Sequence, residues 1–159
     1  MSTLRKSALQ FHEELCAEDE LGSVIRAHLH IEQKLNELLK GLIPYAEEID
    51  PLNLDFYSRV HLALAMGLKK EYKNPLLNLG AIRNRLAHKK GYELSKSDAN
   101  NFYKSFSEAD KIIIQQGCNG LQSIDKKWAE LQPRDHFILC VIVLDNVLLF
   151  TIDECKSGA

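Results

Sequence analysis

Between Leu21 and Leu42 the apolar residues Ile25, Leu29, Ile31, Leu35, Leu38, Leu39 and Leu42 recur mostly in steps of three and four. That is the repeat of one face of a helix, and it governs most of the chain. Leu4 to Glu18 forms a more polar amphipathic segment before it, with a break expected near Gly22. Gly41 and Pro44 stop the second helix. No run shows the strict alternation of a half-buried strand. Val141-Ile142-Val143 is β-branched but lies inside a longer helical pattern. The chain therefore reads as all-α.

The remaining elements follow from caps and breakers. Pro44 to Leu54 reads as a loop turning at Asp50-Pro51. Asp55 is placed to cap a helix carrying Phe56, Val60, Ala63, Leu64 and Met66 inward, ended by Gly67. Lys69 to Lys73 is a charged connector. Asn74-Pro75 has the form of a cap followed by proline at the first helical position, predicting a helix from Pro75 to about His88. After a loop around Gly91, Ser95 or Ser97 caps a helix through Phe102, Phe106 and Ile112 to Gln116, broken by Gly117 and Gly120. A short helix around Trp128 precedes Pro133. Asp135 then caps a final apolar helix through Phe137, Cys140, Val141, Leu144, Leu148 and Ile152. The expectation is a bundle of about five or six helices in one domain, residues 1–159, with no linker or repeat to divide it.

Composition narrows function by exclusion. Net charge is −2, so no global basic field draws the chain to nucleic acid or a membrane surface, and any such contact must be local. The four cysteines, Cys16, Cys118, Cys140 and Cys155, form no CxxC pair and no zinc spacing. They predict reduced thiols and a cytoplasmic location. The N-terminal segment lacks the apolar core of a signal peptide. Phe137 to Ile152 is shorter than the roughly 20 residues that span a bilayer and is interrupted by Asp145, so it reads as a core helix, not a membrane anchor. There is no nucleophile elbow, no glycine-rich phosphate loop and no His, Asp, Glu or Cys cluster at metal-ligand spacing. Cofactor and metal are both expected to be none.

One segment does carry chemistry: Ile82-Arg83-Asn84-Arg85-Leu86-Ala87-His88. Arginine can grip a phosphate with two parallel hydrogen bonds. Histidine titrates near neutrality and can pass a proton to or from a ribose hydroxyl or a leaving oxygen. Asn84 shares a helix face with His88 and could orient either group. Arg83 and His88 are five apart, so they share a direction only if the last turn loosens at Ala87-His88. One Arg and one His are too few for efficient acid–base cleavage. Two copies related by a two-fold axis would double the set around one groove.

Arg83-Asn84-Arg85-Leu86-Ala87-His88, of the form RNxxxH, resembles the signature of the HEPN superfamily. A wider resemblance, covering about Val24 to Phe106, is to the mannitol-repressor-like (MltR) helical family. Its matching residues are Ile31-Glu32 with Leu35 and Leu38-Leu39, then Phe56-Tyr57-Ser58-Arg59-Val60, then Leu62 to Leu68, then Ile82 to His88. The resemblance implies a HEPN-like bundle that forms homodimers. It implies metal-independent endoribonuclease or RNA-binding activity, with Arg83 and His88 as the catalytic pair and Asn84 beside them. It also implies the alternative of a non-catalytic interaction protein: a transcriptional regulator, or an immunity protein neutralising a toxin. Its partners would then be RNA or a toxin or antitoxin protein. In HEPN toxins paired with a nucleotidyltransferase, a Tyr follows the His after one residue. Here Lys89, Lys90 and Gly91 intervene before Tyr92.

Two further groups stand out. Glu32 falls on the apolar face of its helix and Arg59 points toward the core from another, so the two are expected to pair as an interhelical clamp. His28, four residues before Glu32, falls on the same face. Lys69, Lys70, Lys73, Arg83, Arg85, Lys89 and Lys90, with Tyr72 and Tyr92 nearby, form the one basic stretch. Arg85, Lys89, Lys90 and Tyr92 are its expected binding residues, either along a phosphate backbone with base stacking or against an acidic protein.

Overall fold

The computed structural model describes the backbone of residues 2–120 and 127–157. Among them there are seven α-helices and no strands: α1 (Ser2–Ala17), α2 (Glu20–Leu42), α3 (Phe56–Ala65), α4 (Lys73–His88), α5 (Lys96–Lys104), α6 (Glu108–Gly120) and α7 (Pro133–Ser157). Three 3-10 turns, Ala46–Leu52, Lys70–Tyr72 and Trp128–Glu130, punctuate the connections. The all-α class stands, but the count exceeds the expected five or six because the segment from Ser95 to Gln116 is two helices. Ser107 ends the continuity: its hydroxyl accepts from the Asp110 backbone N–H at 3.2 Å and donates to the Asp110 carboxylate at 2.7 Å, starting α6 afresh.

Other boundaries also moved. The break between α1 and α2 falls at Asp19 rather than Gly22, because the Asp19 side chain accepts from the Gly22 N–H at 2.7 Å and caps α2. Helix α4 starts at Lys73, with Tyr72 at its cap position, so Pro75 lies in the first turn instead of at its first residue. Proline is tolerated there because the first-turn amides have no intrahelical partner. Tyr72, buried at the entry, anchors the chain. Helix α6 runs through Gly117 rather than stopping there. Helix α7 begins at Pro133, two residues before the expected Asp135 cap. The caps at Asp55 and Ser95 lie where the sequence predicts. Asp55 accepts from the Ser58 N–H at 2.8 Å, and Ser95 and Asp98 form a reciprocal capping box.

The core is one continuous apolar cluster drawn from all seven helices. Helix α7 is its axis and packs on α1, α2, α5 and α6. Its 25 residues include an 18-residue stretch of mean hydropathy 1.9, enough for a membrane-spanning helix by length and composition, yet ten of its residues are buried against other helices. Asp145, in the middle of α7, has a side chain only 2% exposed, and its Oδ1 lies 2.9 Å from His30 Nε2 on α2. A buried carboxylate needs such a partner. The His30 ring also stacks on Phe11 of α1, centroids 3.9 Å apart. One histidine therefore ties α1, α2 and α7 together.

Candidate functional site

A cleft of about 630 Å³ opens where α2, α3 and α4 meet. Helix α4 lends it Leu77, Gly80, Ala81, Arg83 and Asn84; α2 lends His28, Leu29 and Glu32; Asp55, Phe56 and Tyr57 close it at the start of α3. The register of each helix explains the set. His28 and Glu32 are one turn apart on α2, while Gly80, Arg83 and Asn84 are three and four apart on α4. Gly80 is there for close approach: a Cβ at that position would sit 3.1 Å from the Phe56 ring.

Arg83 is half-buried at the cleft wall. Its guanidinium donates to the neighbouring Asn84 Oδ1 at 3.1 Å and meets no carboxylate among the described residues. His28 is buried against Phe56, ring centroids 4.3 Å apart. Burial, with the Arg83 charge adding to it, pushes the His28 imidazole down to about 4, so it is neutral near pH 7. Asp55 is held below the usual carboxylate range by its hydrogen bonds from Ser58. Glu32 Oε1 lies 3.6 Å from Arg59 Nε, and Arg59 further donates to Asn36 and to the Leu54 carbonyl. The expected Glu32–Arg59 pair is thus present between α2 and α3, with Glu32 also facing the cleft.

Arg83 and His88 are not brought together within one chain. Helix α4 stays regular to its end, the Lys89 N–H bonding the Arg85 carbonyl at 3.0 Å, so the loosening at Ala87-His88 that would align the two side chains does not occur. At about 100° per residue, five residues put the two side chains about 140° apart around the axis. His88 is exposed at the C-terminal end of α4 and is not among the residues lining the cleft. The histidine beside Arg83 is His28, from another helix.

The basic stretch divides in the same way. Arg85 donates to Asp98 Oδ1 at 2.8 Å, and the Tyr92 hydroxyl donates to Asp98 Oδ2 at 2.6 Å. The Ser95 N–H and hydroxyl also reach Asp98 Oδ2, at 3.0 and 2.6 Å. Burial would raise the Asp98 carboxyl, but these hydrogen bonds and the Arg85 charge hold it below its ordinary value, while the same carboxylate raises Tyr92. Arg85 and Tyr92 therefore clasp the loop between α4 and α5. Tyr72 is buried. Lys89 and Lys90 stay exposed, Lys89 Nζ lying 5.8 Å from the Tyr92 ring centroid. No group of three or more His, Cys, Asp or Glu among the described residues converges as a metal site would.

Sequence reasoning reached Arg83, Asn84, Glu32 and the shared face of His28. It did not reach Asp55 and Tyr57 as lining the same cleft as Arg83, because only tertiary packing of α3 on α2 and α4 brings them there. No protein-family model, curated protein or solved structure matches the chain.

Proposed function

We propose that this chain is a HEPN-like, MltR-like helical domain that binds RNA and cuts it without a metal when two copies pair. The observation that carries the reading is Arg83: an arginine on the wall of an open cleft, oriented by Asn84 and with no carboxylate neutralising it among the described residues. Such a guanidinium suits a phosphate oxygen pair. Exposed apolar residues flank it, Leu29 at 52% and Tyr57 at 59% exposure, and Leu21 and Leu29 lie on one stripe of α2. This stripe supports a two-fold contact over the cleft. His88, turned away from its own Arg83, would serve the cleft of the second copy. In that arrangement Arg83 grips the scissile phosphate, His88 moves the proton and Asn84 orients.

The divergence of Arg83 and His88 within a chain favours a second reading. A cleft with an apolar rim and one unneutralised arginine also suits a protein segment, as in a regulator or an immunity protein that neutralises a toxin. Incubating the wild type, Arg83→Ala and His88→Ala with total RNA in excess chelator separates the two. Cleavage by the wild type alone is expected. A well-formed dimer that leaves RNA intact gives the cleft to a toxin or antitoxin protein instead.

A further inference from the structure

Resting on the RNA reading of the same cleft, we infer that it holds one unpaired guanine beside the phosphate on Arg83, with Glu32 reading the base edge and Tyr57 stacking on it. The volume, about 630 Å³, lies within the range of small-ligand pockets and exceeds what a phosphate alone needs. The floor is apolar, from Leu77, Gly80 and Phe56. Tyr57 is largely exposed, and its ring is braced by His61 at 4.4 Å between centroids. An aromatic held in place at a cleft mouth is the platform on which single-stranded bases stack.

The polar wall selects the base. Glu32 lines the cleft as an acceptor-only group when ionised, with Arg59 Nε 3.6 Å from its Oε1. Among the four RNA bases only guanine offers two adjacent N–H donors, at N1 and N2, to the two oxygens of one carboxylate. Adenine and cytosine set an amino group beside an acceptor, and uracil sets one N–H between two carbonyls. Buried His28 is neutral near pH 7 and so adds no second cation that would simply bind any phosphate. Arg83 supplies the charge for the phosphate; the acidic wall supplies the discrimination.

The test is titration of the full chain with the four nucleoside 3′-monophosphates, inorganic phosphate and methylguanidinium, followed by calorimetry or NMR. Guanosine 3′-monophosphate is expected to bind about tenfold tighter than the other three. Glu32→Gln should erase that preference and leave a weaker binding of all four, which Arg83→Ala removes. Should Glu32→Gln fail to fold, Tyr57→Ala, at an exposed position, should weaken every nucleotide while leaving inorganic phosphate unchanged. Equal affinity for the four nucleotides overturns the guanine assignment and leaves the RNA reading standing. Methylguanidinium binding as tightly as guanosine 3′-monophosphate overturns it in favour of an arginine from a protein partner. No binding of any nucleotide or of phosphate overturns both.

Discussion

His28 of α2 and Arg83 of α4 share one cleft, and the buried imidazole is pushed down to about 4 by desolvation with the arginine charge adding to it. This pairing has a thermodynamic consequence. In the unfolded chain His28 takes up a proton below its ordinary value of 6.5, whereas in the folded chain it resists until about 4. Between those values the unfolded state binds more protons, so stability falls as pH falls, and the loss is complete below the lower value. The complete loss is about 3 kcal/mol, of which about 2 kcal/mol is expected by pH 4.5. His12, also lowered by burial, acts in the same direction. Urea midpoints at pH 7 and 4.5 should diverge more for the wild type than for His28→Gln. Equal divergence in both proteins would show that His28 is not the titrating group.

The placement of Arg83 and His88 on different sides of α4 makes a prediction about mixing. If each site draws its arginine from one copy and its histidine from the other, Arg83→Ala and His88→Ala are each inactive alone. Mixed after unfolding and refolding together, they should regain about a quarter of wild-type RNA cleavage, since about half the dimers are mixed and each has one intact site of two. No recovery, with mixed dimers confirmed by mass spectrometry, excludes a site shared across the two-fold axis.

The His30–Asp145 contact predicts a stability effect remote from the cleft. His30→Ala leaves the Asp145 carboxylate, 2% exposed, without its partner in the middle of α7. Because the His30 side chain is itself 31% exposed, water recovers part of the loss, and the expected cost is about 2–3 kcal/mol. The double variant His30→Leu with Asp145→Leu should restore most of it. A double variant as unstable as the single would mean that packing against Phe11, not the charge, is what His30 supplies.

Asp98 accepts from Arg85, Tyr92 and Ser95 at once. Asp98→Ala should therefore cost more than the loss of a cap: about 2–3 kcal/mol, against about 1 kcal/mol for Ser95→Ala. Thermal melts of the two variants provide the comparison, and Asp98→Asn should fall between them and the wild type. Similar melting shifts for Ser95→Ala and Asp98→Ala would reduce the network to its capping box.

Local chemistry made much of the fold legible. Asp55 and Ser95 cap helices because a short acceptor side chain precedes a periodic apolar run, and both signals are complete within four residues. Asp19 and Ser107 carry the same chemistry, but Gly22, three residues after Asp19, offers a competing break signal, and the apolar pattern of Phe102, Phe106 and Ile112 runs across Ser107 without interruption. Glu32 and Arg59 could be paired from their faces alone. His30 and Asp145 could not, being 115 residues apart with no pattern linking them. The cleft was half legible for a similar reason. The α4 motif and the α2 face are periodic features, but the presence of Asp55 and Tyr57 in the cleft that Arg83 lines depends on how α3 packs on both helices.

Helix α7 also sets an order of events. It comes after the other six described helices in chain order and packs on four of them. Until it emerges, Ile31, Leu35, Leu38 and Phe102 have no axis to close on, and the nascent chain carries its apolar faces in the open. The core therefore closes only once α7 has been made, and the interval before α7 arrives is when a chaperone would be needed.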